Sequence, residues 1–390
     1  MIKERVSLRW MVLLGMLVLP AFWGVAQEPP LADEVTFEAT GQTFAALLTV
    51  SEGATIEWIF ADGSTSDSAS PSKDYGTSAT RLNRLKVTPW SALTMVNIGY
   101  DAGDGGPDTI PFLEQQNVTA VYGMDNLAPY LQVWCSSHNP HTALTFDHFT
   151  SLTEIECFLC TSLASVSLHN TPVLSRACFE DCNLAALDLS ESPMLADLRG
   201  AVNAYPFIVW GTTGAEVWHI CVRDNPQMTQ NLPDMGQFPQ LVELFVWNDH
   251  QTGTLHPTST HLQSVLADGN YYTEADFTGT FAAGAWGSIN LNNNLLTRLD
   301  IFECPGLVNL QADNNQLGQE EVDEILGTLD SFGTSGGTVS LLGNSGPSDT
   351  GQTSAGNLAA RGWTVAIEQN INDTTPPTIV EMAVSAGVQE

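Results

Sequence analysis

Through most of its length the chain repeats a short apolar figure in which leucine-like residues stand three and then two positions apart. Leu296-x-x-Leu299-x-Ile301 is followed by Leu307-x-x-Leu310-x-Ala312, and Leu317 returns 21 residues after Leu296. Leu163-x-x-Val166-x-Leu168 and Leu184-x-x-Leu187-x-Leu189 lie 21 apart as well, with Leu152-x-x-Ile155-x-Cys157 and Leu195-x-x-Leu198 in the half-turns between. Val217, Ile220 and Val222, then Leu241, Leu244 and Val246, then Leu262, Val265 and Ala267 continue that register. Residues two apart share one face of a strand. Each 21-residue unit is therefore expected to carry two short strands.

Small polar residues keep the same beat. Asn225, Asn248, Asn270, Asn294 and Asn315 follow the inward residues of successive units, at gaps of 23, 22, 24 and 21. A coil of this length cannot bury its apolar face alone, so the pattern predicts a solenoid whose coils stack into one continuous core. Inward asparagines can serve the backbone groups of each turn, where an unpaired buried group costs about 1–3 kcal/mol.

The spacing L-x-x-L-x-L-x-x-N resembles that of leucine-rich repeats, and the 21-residue, two-strand form resembles the repeats of exported bacterial surface proteins. The resemblance covers residues 91–369 and implies a leucine-rich-repeat solenoid, β-rich overall and α/β only at its C-terminal cap. Repeats are degenerate near Val118–Leu144 and Ala201–Ala215, which read as insertions or distorted coils. At residues 318–368, Val322, Ile325, Leu326 and Leu329 trace a helix face over Gln319–Phe332, with Glu320 and Glu321 in its first turn and Gly333 at its end. A strand at Thr338–Leu342, a helix at Ala355–Arg361 and a strand at Trp363–Ile367 complete a terminal cap.

Residues 30–90 alternate apolar positions with turn clusters. Trp58-x-Phe60-x-Asp62-Gly63, followed by Tyr75-Gly76, resembles the PKD type of immunoglobulin-like sandwich, although Ile59 and Ala61 replace that family's usual acidic residue and glycine. The segment reads either as a small domain of that type or as an N-terminal β cap. Residues 370–390 read as a polar linker and the opening strand of a possible further immunoglobulin-like domain, or as a disordered tail.

Residues 1–26 have the form of a secretory signal: Lys3, Arg5 and Arg9, an apolar run from Trp10 to Val25, and small residues at Gly24-Val25-Ala26. The whole chain carries 12 Lys and Arg against 44 Asp and Glu. Removing Lys3, Arg5, Arg9 and Glu4 leaves 9 cations against 43 anions, a net of −34. Such a surface repels nucleic acid and anionic membrane, so neither is expected as a partner, and no membrane insertion is expected after cleavage. The expected location is extracellular or at the cell surface.

Chemistry leaves few traces. Cys157 and Cys160 form a C-x-x-C, but Cys157 and Cys178 read as one core column 21 residues apart and Cys160 falls in the asparagine column. Disulfides between neighbouring coils are therefore expected ahead of metal or redox chemistry, with at least one of the seven cysteines unpaired. His138, His141, His148, His250, His256 and His261 read as exposed loop residues. Asp101–Asp108 offers oxygen ligands but lacks the spacing of a calcium loop. Phosphate loops and the His-Glu-x-x-His motif are missing from the sequence. No catalytic residue, cofactor or metal is assigned.

What remains is a face. Residues between the inward ones project outward, and His219, Arg223, Phe245, Trp247, Arg298, Asp300 and Phe302 are the candidates for a concave partner-binding surface, because aromatic residues and arginine dominate binding hot spots. The reading is a non-catalytic exported protein that binds a protein or glycan, with a role in adhesion. Its alternatives are a spacer in a larger surface protein and a carbohydrate-active or other enzyme module with a site at Ala201–Ala215.

Overall fold

A computed structural model describes residues 32–99, 116–228, 232 and 235–369. The signal-like residues 1–26, the Asp101–Asp108 loop and the segment 370–390 lie outside the described residues. Seven strands open the fold: β1 (Val35–Ala45), β2 (Leu47–Val50), β3 (Thr55–Ile59), β4 (Thr65–Ser66), β5 (Ser72–Thr88), β6 (Leu93–Asn97) and β7 (Val118–Tyr122). The first half of the array follows with β8 (Val133–Cys135), β9 (Ala143–Thr145), β10 (Glu154–Glu156), β11 (Ser165–Ser167), β12 (Arg176–Cys178), β13 (Leu187–Asp188), β14 (Asp197–Arg199), β15 (Ile208–Val209) and β16 (His219–Cys221). The second half comprises β17 (Glu243–Phe245), β18 (Thr252–Leu255), β19 (Ser264–Leu266), β20 (Tyr271–Asp276), β21 (Gly287–Asn290), β22 (Arg298–Asp300), β23 (Leu307–Gln311), α1 (Gln319–Ser331), β24 (Thr338–Ser340), α2 (Asp349–Ala360) and β25 (Thr364–Ala366).

These strands build a leucine-rich-repeat solenoid. One sheet of thirteen strands runs its full length in the order β2-β6-β8-β10-β12-β14-β16-β17-β19-β21-β23-β24-β25, parallel from β6 onward. The opposite wall is pieced together from the small parallel sheets β9–β11, β13–β15 and β18–β20–β22, after which α1 and α2 take over. Leu152, Ile155, Leu198, Ile220, Leu244, Val265 and Leu310 from the long sheet meet Leu163, Leu184, Leu187, Leu296 and Leu299 from the other wall, all 0–2 % exposed.

The register corrects the sequence reading in one respect. Val217–Val222, Leu241–Val246 and Leu262–Ala267 continue the Leu152 and Leu195 row on the long sheet, not the Leu163 and Leu184 row, which lies on the opposite wall. Coil length is the reason. Glu154 pairs with Arg176, Arg176 with Asp197, Asp197 with His219 and His219 with Glu243, steps of 22, 21, 22 and 24 rather than a constant 21. The same drift places Cys178 opposite Glu156, so it faces outward and does not share a column with the inward Cys157.

Ala201–Ala215 is a regular coil, not an insertion. Tyr205 fills the place of a repeat leucine and is fully buried. Gly200 makes room for it, since a Cβ there would lie 2.5 Å from the Tyr205 hydroxyl. Trp210 then packs edge-on against Phe238 at 4.9 Å.

The N-terminal segment is built onto the first coil of the array. β4-β3-β5-β1-β7 make an antiparallel sheet, while β2 crosses to pair with β6 on the edge of the long sheet. Phe37, Phe44 and Trp58 pack with ring centroids 5.7–6.0 Å apart, and this aromatic group joins the array in one uninterrupted core. An open solenoid end would expose the core, and this sheet covers it. At the other end α1 buries Val322, Ile325, Leu326 and Leu329, the face expected from their spacing. α2 begins six residues before the expected Ala355, because the Ser348 side chain caps it by accepting from the Thr350 N–H at 3.2 Å.

Two polar ladders tie the coils together. Asn139, Cys160, Cys182, Asn203, Asn225, Asp249, Asn270, Asn294, Asn315 and Asn344 occupy equivalent rungs beside the long sheet. In the typical rung Asn270, Oδ1 accepts from the Asp249 and Gln251 N–H groups, and Nδ2 donates to the Val246 and Ala267 carbonyls at 2.7 and 3.1 Å. Asn248 is not a rung. It is the left-handed residue (φ 58°) just before Asp249, a place that Gly269, Asn293 and Asn314 take in later coils. On the opposite wall a second ladder uses Thr171, Ser192, Thr213, Thr280 and Cys304, each donating to a backbone carbonyl or to its neighbour.

Cys157, Cys160, Cys182, Cys221 and Cys304 are free thiols, against the expectation of disulfides between coils. Cys160 and Cys182 act as rungs, donating to the Ser136 and Cys157 carbonyls at 3.2 and 3.0 Å, which is what an asparagine amide does elsewhere. His141 likewise departs from the exposed-loop reading: it is fully buried, with Nε2 3.2 Å from the Ser136 hydroxyl.

Candidate functional site

On the long sheet the two outward positions of each strand align across coils into rows. One row reads Glu154, Arg176, Asp197, His219, Glu243, Ser264 and Ser288. The next reads Glu156, Cys178, Arg199, Cys221, Phe245, Leu266 and Asn290. Residues opposite each other on adjacent strands sit close enough for side chains of opposite charge to pair. The first row uses this at Glu154, Arg176 and Asp197, whose signs alternate.

Arg176 is the hub. Its Nε is 2.7 Å from Glu156 Oε1 and 3.5 Å from Glu154 Oε1, and its Nη1 donates to Asp197 Oδ2 at 2.8 Å. Asp197 in turn lies 3.4 Å from Arg199 Nε and 2.6 Å from His219 Nδ1, while His219 Nε2 is 3.9 Å from Glu243. Burial opposes the charge on Arg176, but the neighbouring Glu156 and Asp197 outweigh it and raise its pKa. Burial also opposes ionisation of Asp197, yet the hydrogen bond and charge of His219, with Arg199 and Arg176, hold its pKa below the usual carboxylate value.

Aromatic rings border this network. His219 meets Phe245 edge-on at 5.5 Å and Trp218 at 5.4 Å, and Phe245 lies 6.0 Å from Trp247. Arg223 stands over the Trp247 ring at 5.0 Å, with its guanidinium 2.5 Å from Glu180 and 2.9 Å from Asp224. Residues 91–369 contain five arginines and no lysine; Arg176, Arg199 and Arg223 all lie here.

The structure brings His219, Arg223, Phe245 and Trp247 together. His219 is only 6 % exposed, so it supports the surface more than it presents itself. Arg298, Asp300 and Phe302 do not join them: β22 pairs with β20 on the opposite wall, and the seven candidates do not form one face. Arg298 and Asp300 are within one ion pair there (3.3 Å), beside a cavity of about 160 Å³ lined by Thr254, His256, Glu274, Asp276 and Arg298. Phe302 is 59 % exposed at that wall's edge.

Sequence reading missed Arg176, Asp197 and Arg199. They flank Ala177 and Leu198, and Ala177 replaces the leucine that would have marked the coil. Pairing Leu174-x-x-Ala177-x-Phe179 with its neighbours would have found it.

The same face argues against nucleophilic chemistry. Cys221 lies two residues from His219, but burial first of all, and then Glu180, pushes its pKa up to about 12, leaving the thiol protonated at neutral pH. Among the described residues no group of three His, Cys, Asp or Glu side chains is placed to hold a metal ion, and no helix is long and apolar enough to cross a membrane.

No protein-family model and no curated protein sequence matches the chain. Among solved structures, it is similar to the functional domain of InlJ from Listeria monocytogenes, described as including a cysteine ladder, with 20 % identity over 65 % of this chain and a TM-score of 0.47. The chain spans 50 % of the length of that structure. It is also similar to the internalin InlF from Listeria monocytogenes, with 12 % identity over 73 % of this chain and 83 % of that one, at a TM-score of 0.42.

Proposed function

We propose that this chain is a non-catalytic binding module of an exported bacterial protein, and that it engages a protein partner, in adhesion, through the outward face of β14 to β17. The observation that carries this reading is the juxtaposition of Phe245, Trp247 and Arg223 on adjacent coils, bordered by the Arg176 network. Large rings fixed by their neighbours lose little freedom on binding, and aromatic and arginine side chains supply most hot-spot energy. The ion pairs around them set charge complementarity and the orientation of approach. Export rests on the signal-like residues 1–26, and the acidity of the whole chain favours a partner with a basic contact surface.

The test replaces both rings. Phe245→Ala with Trp247→Ala should lower affinity for a partner captured by the mature chain by at least about tenfold, each hot-spot residue contributing roughly 2 kcal/mol. Thermal unfolding should stay nearly unchanged, since both rings are only part-buried at the surface. Equal binding by parent and double variant would remove the proposed face.

A further inference from the structure

We propose that Asp249 makes the asparagine ladder proton-dependent at a single rung: as a neutral acid it ties its coil to its neighbours, and as a carboxylate it weakens that tie. The rung is complete on one side only. Asp249 Oδ1 accepts from the Asn225 N–H at 2.8 Å, as Asn225 Oδ1 does from Asn203 and Asn294 Oδ1 does from Tyr272. Its Oδ2 is fully buried and has no hydrogen-bond partner.

In every neighbouring rung the second atom is an amide nitrogen that donates to two carbonyls, one on its own coil three residues back and one on the preceding coil. Asn270 serves Ala267 and Val246, Asn294 serves Leu291 and Ala267, and Asn315 serves Ala312 and Leu291. By the same register the carbonyls that belong to Asp249 are those of Val246 and Val222. Only the protonated carboxyl can donate there, its single O–H serving one of the two. A carboxylate would set a second negative atom, stripped of water, in that place.

The surroundings favour the neutral form. Burial pushes the pKa of Asp249 up to about 8; the Asn225 N–H opposes that rise, Asp224 adds to it, and Arg223 opposes it from across the coil. Arg223 is itself engaged by Glu180 and Asp224. Tyr205 from two coils before and Tyr272 from the next coil are the other titratable groups near it; both are buried, and their pKa values are raised by burial and by Asp249.

The linkage has a definite sign. A carboxyl whose folded pKa lies above its unfolded value binds more protons when folded, so stability falls as pH rises from about 4 to about 8 and then levels off. Thermal midpoints of the parent chain, Asp249→Asn and Asn270→Asp, measured from pH 5 to 9, test this. The folding constant of Asp249→Asn relative to the parent should grow roughly tenfold per pH unit up to about pH 8. Asn270→Asp should add a second loss of the same sign. Parallel curves for parent and Asp249→Asn would overturn the proposal, and would mean that the carboxylate finds a donor such as Gln251 Nε2, which also lacks a partner. An Asn270→Asp variant no more pH-sensitive than the parent would overturn it as well.

Discussion

The long sheet has two halves that share a backbone and differ in what they show. From β10 to β17 the outward rows carry Glu154, Glu156, Arg176, Asp197, Arg199, His219 and Glu243 in a linked set of ion pairs. From β19 to β24 the same positions carry Ser264, Ser288, Asn290, Asn309, Gln311, Thr338 and Ser340. These side chains bond to one another or to an acid in the turn that follows: Asn309 donates to Ser288 at 2.9 Å, Asn290 to Asp268 at 3.1 Å, and Ser340 to Asp313 at 2.6 Å. Inward positions barely change between the halves because the core tolerates few volumes. Outward positions are free to diverge, and the aromatic residues gather where the charged half ends.

The largest expected effect breaks the charged half. Arg176→Ala takes the guanidinium from Glu156 and leaves Asp197 only Arg199 and His219, and removing one partner of a buried pair costs about 3–5 kcal/mol. Chemical denaturation of parent and variant measures it. A loss below about 1 kcal/mol would mean that these charges are hydrated as surface pairs are.

Acid provides the next contrast. Asp197 has a folded pKa below its ordinary 3.8, so its contribution is fully present above that pH and is lost as pH falls through the folded value. Asp197→Asn should be less stable than the parent near neutrality, and the gap should narrow below about pH 4. A constant gap down to pH 2 would show that the carboxylate charge is not what Asp197 contributes. The smallest effect belongs to the neutral half: Asn309→Ala should cost about 0.5–1.5 kcal/mol, the net value of one ordinary hydrogen bond.

Much of this architecture is legible in the chain. The solenoid, its two strands per unit and the face of α1 follow from spacing alone, because inward leucines and helix periodicity are local rules. Other features depend on alignment between coils, which spacing cannot supply when coil lengths vary between 21 and 24 residues. Drift turned Cys178 outward, Ala177 in place of a leucine hid Arg176, and Arg298, Asp300 and Phe302 belong to the second strand of their coil, on the opposite wall. Asn248 misled for a different reason. Asparagine suits a left-handed turn as well as a buried rung, and only the structure separates Asn248 from Asp249.

Amide hydrogen exchange of the mature chain, alone and saturated with a captured protein partner, tests the binding face most directly. New protection should concentrate at residues 219–224 and 243–248, with residues 288–292 and 309–313 unchanged. Protection centred on the neutral half, or on β20 and β22 of the opposite wall, would contradict it.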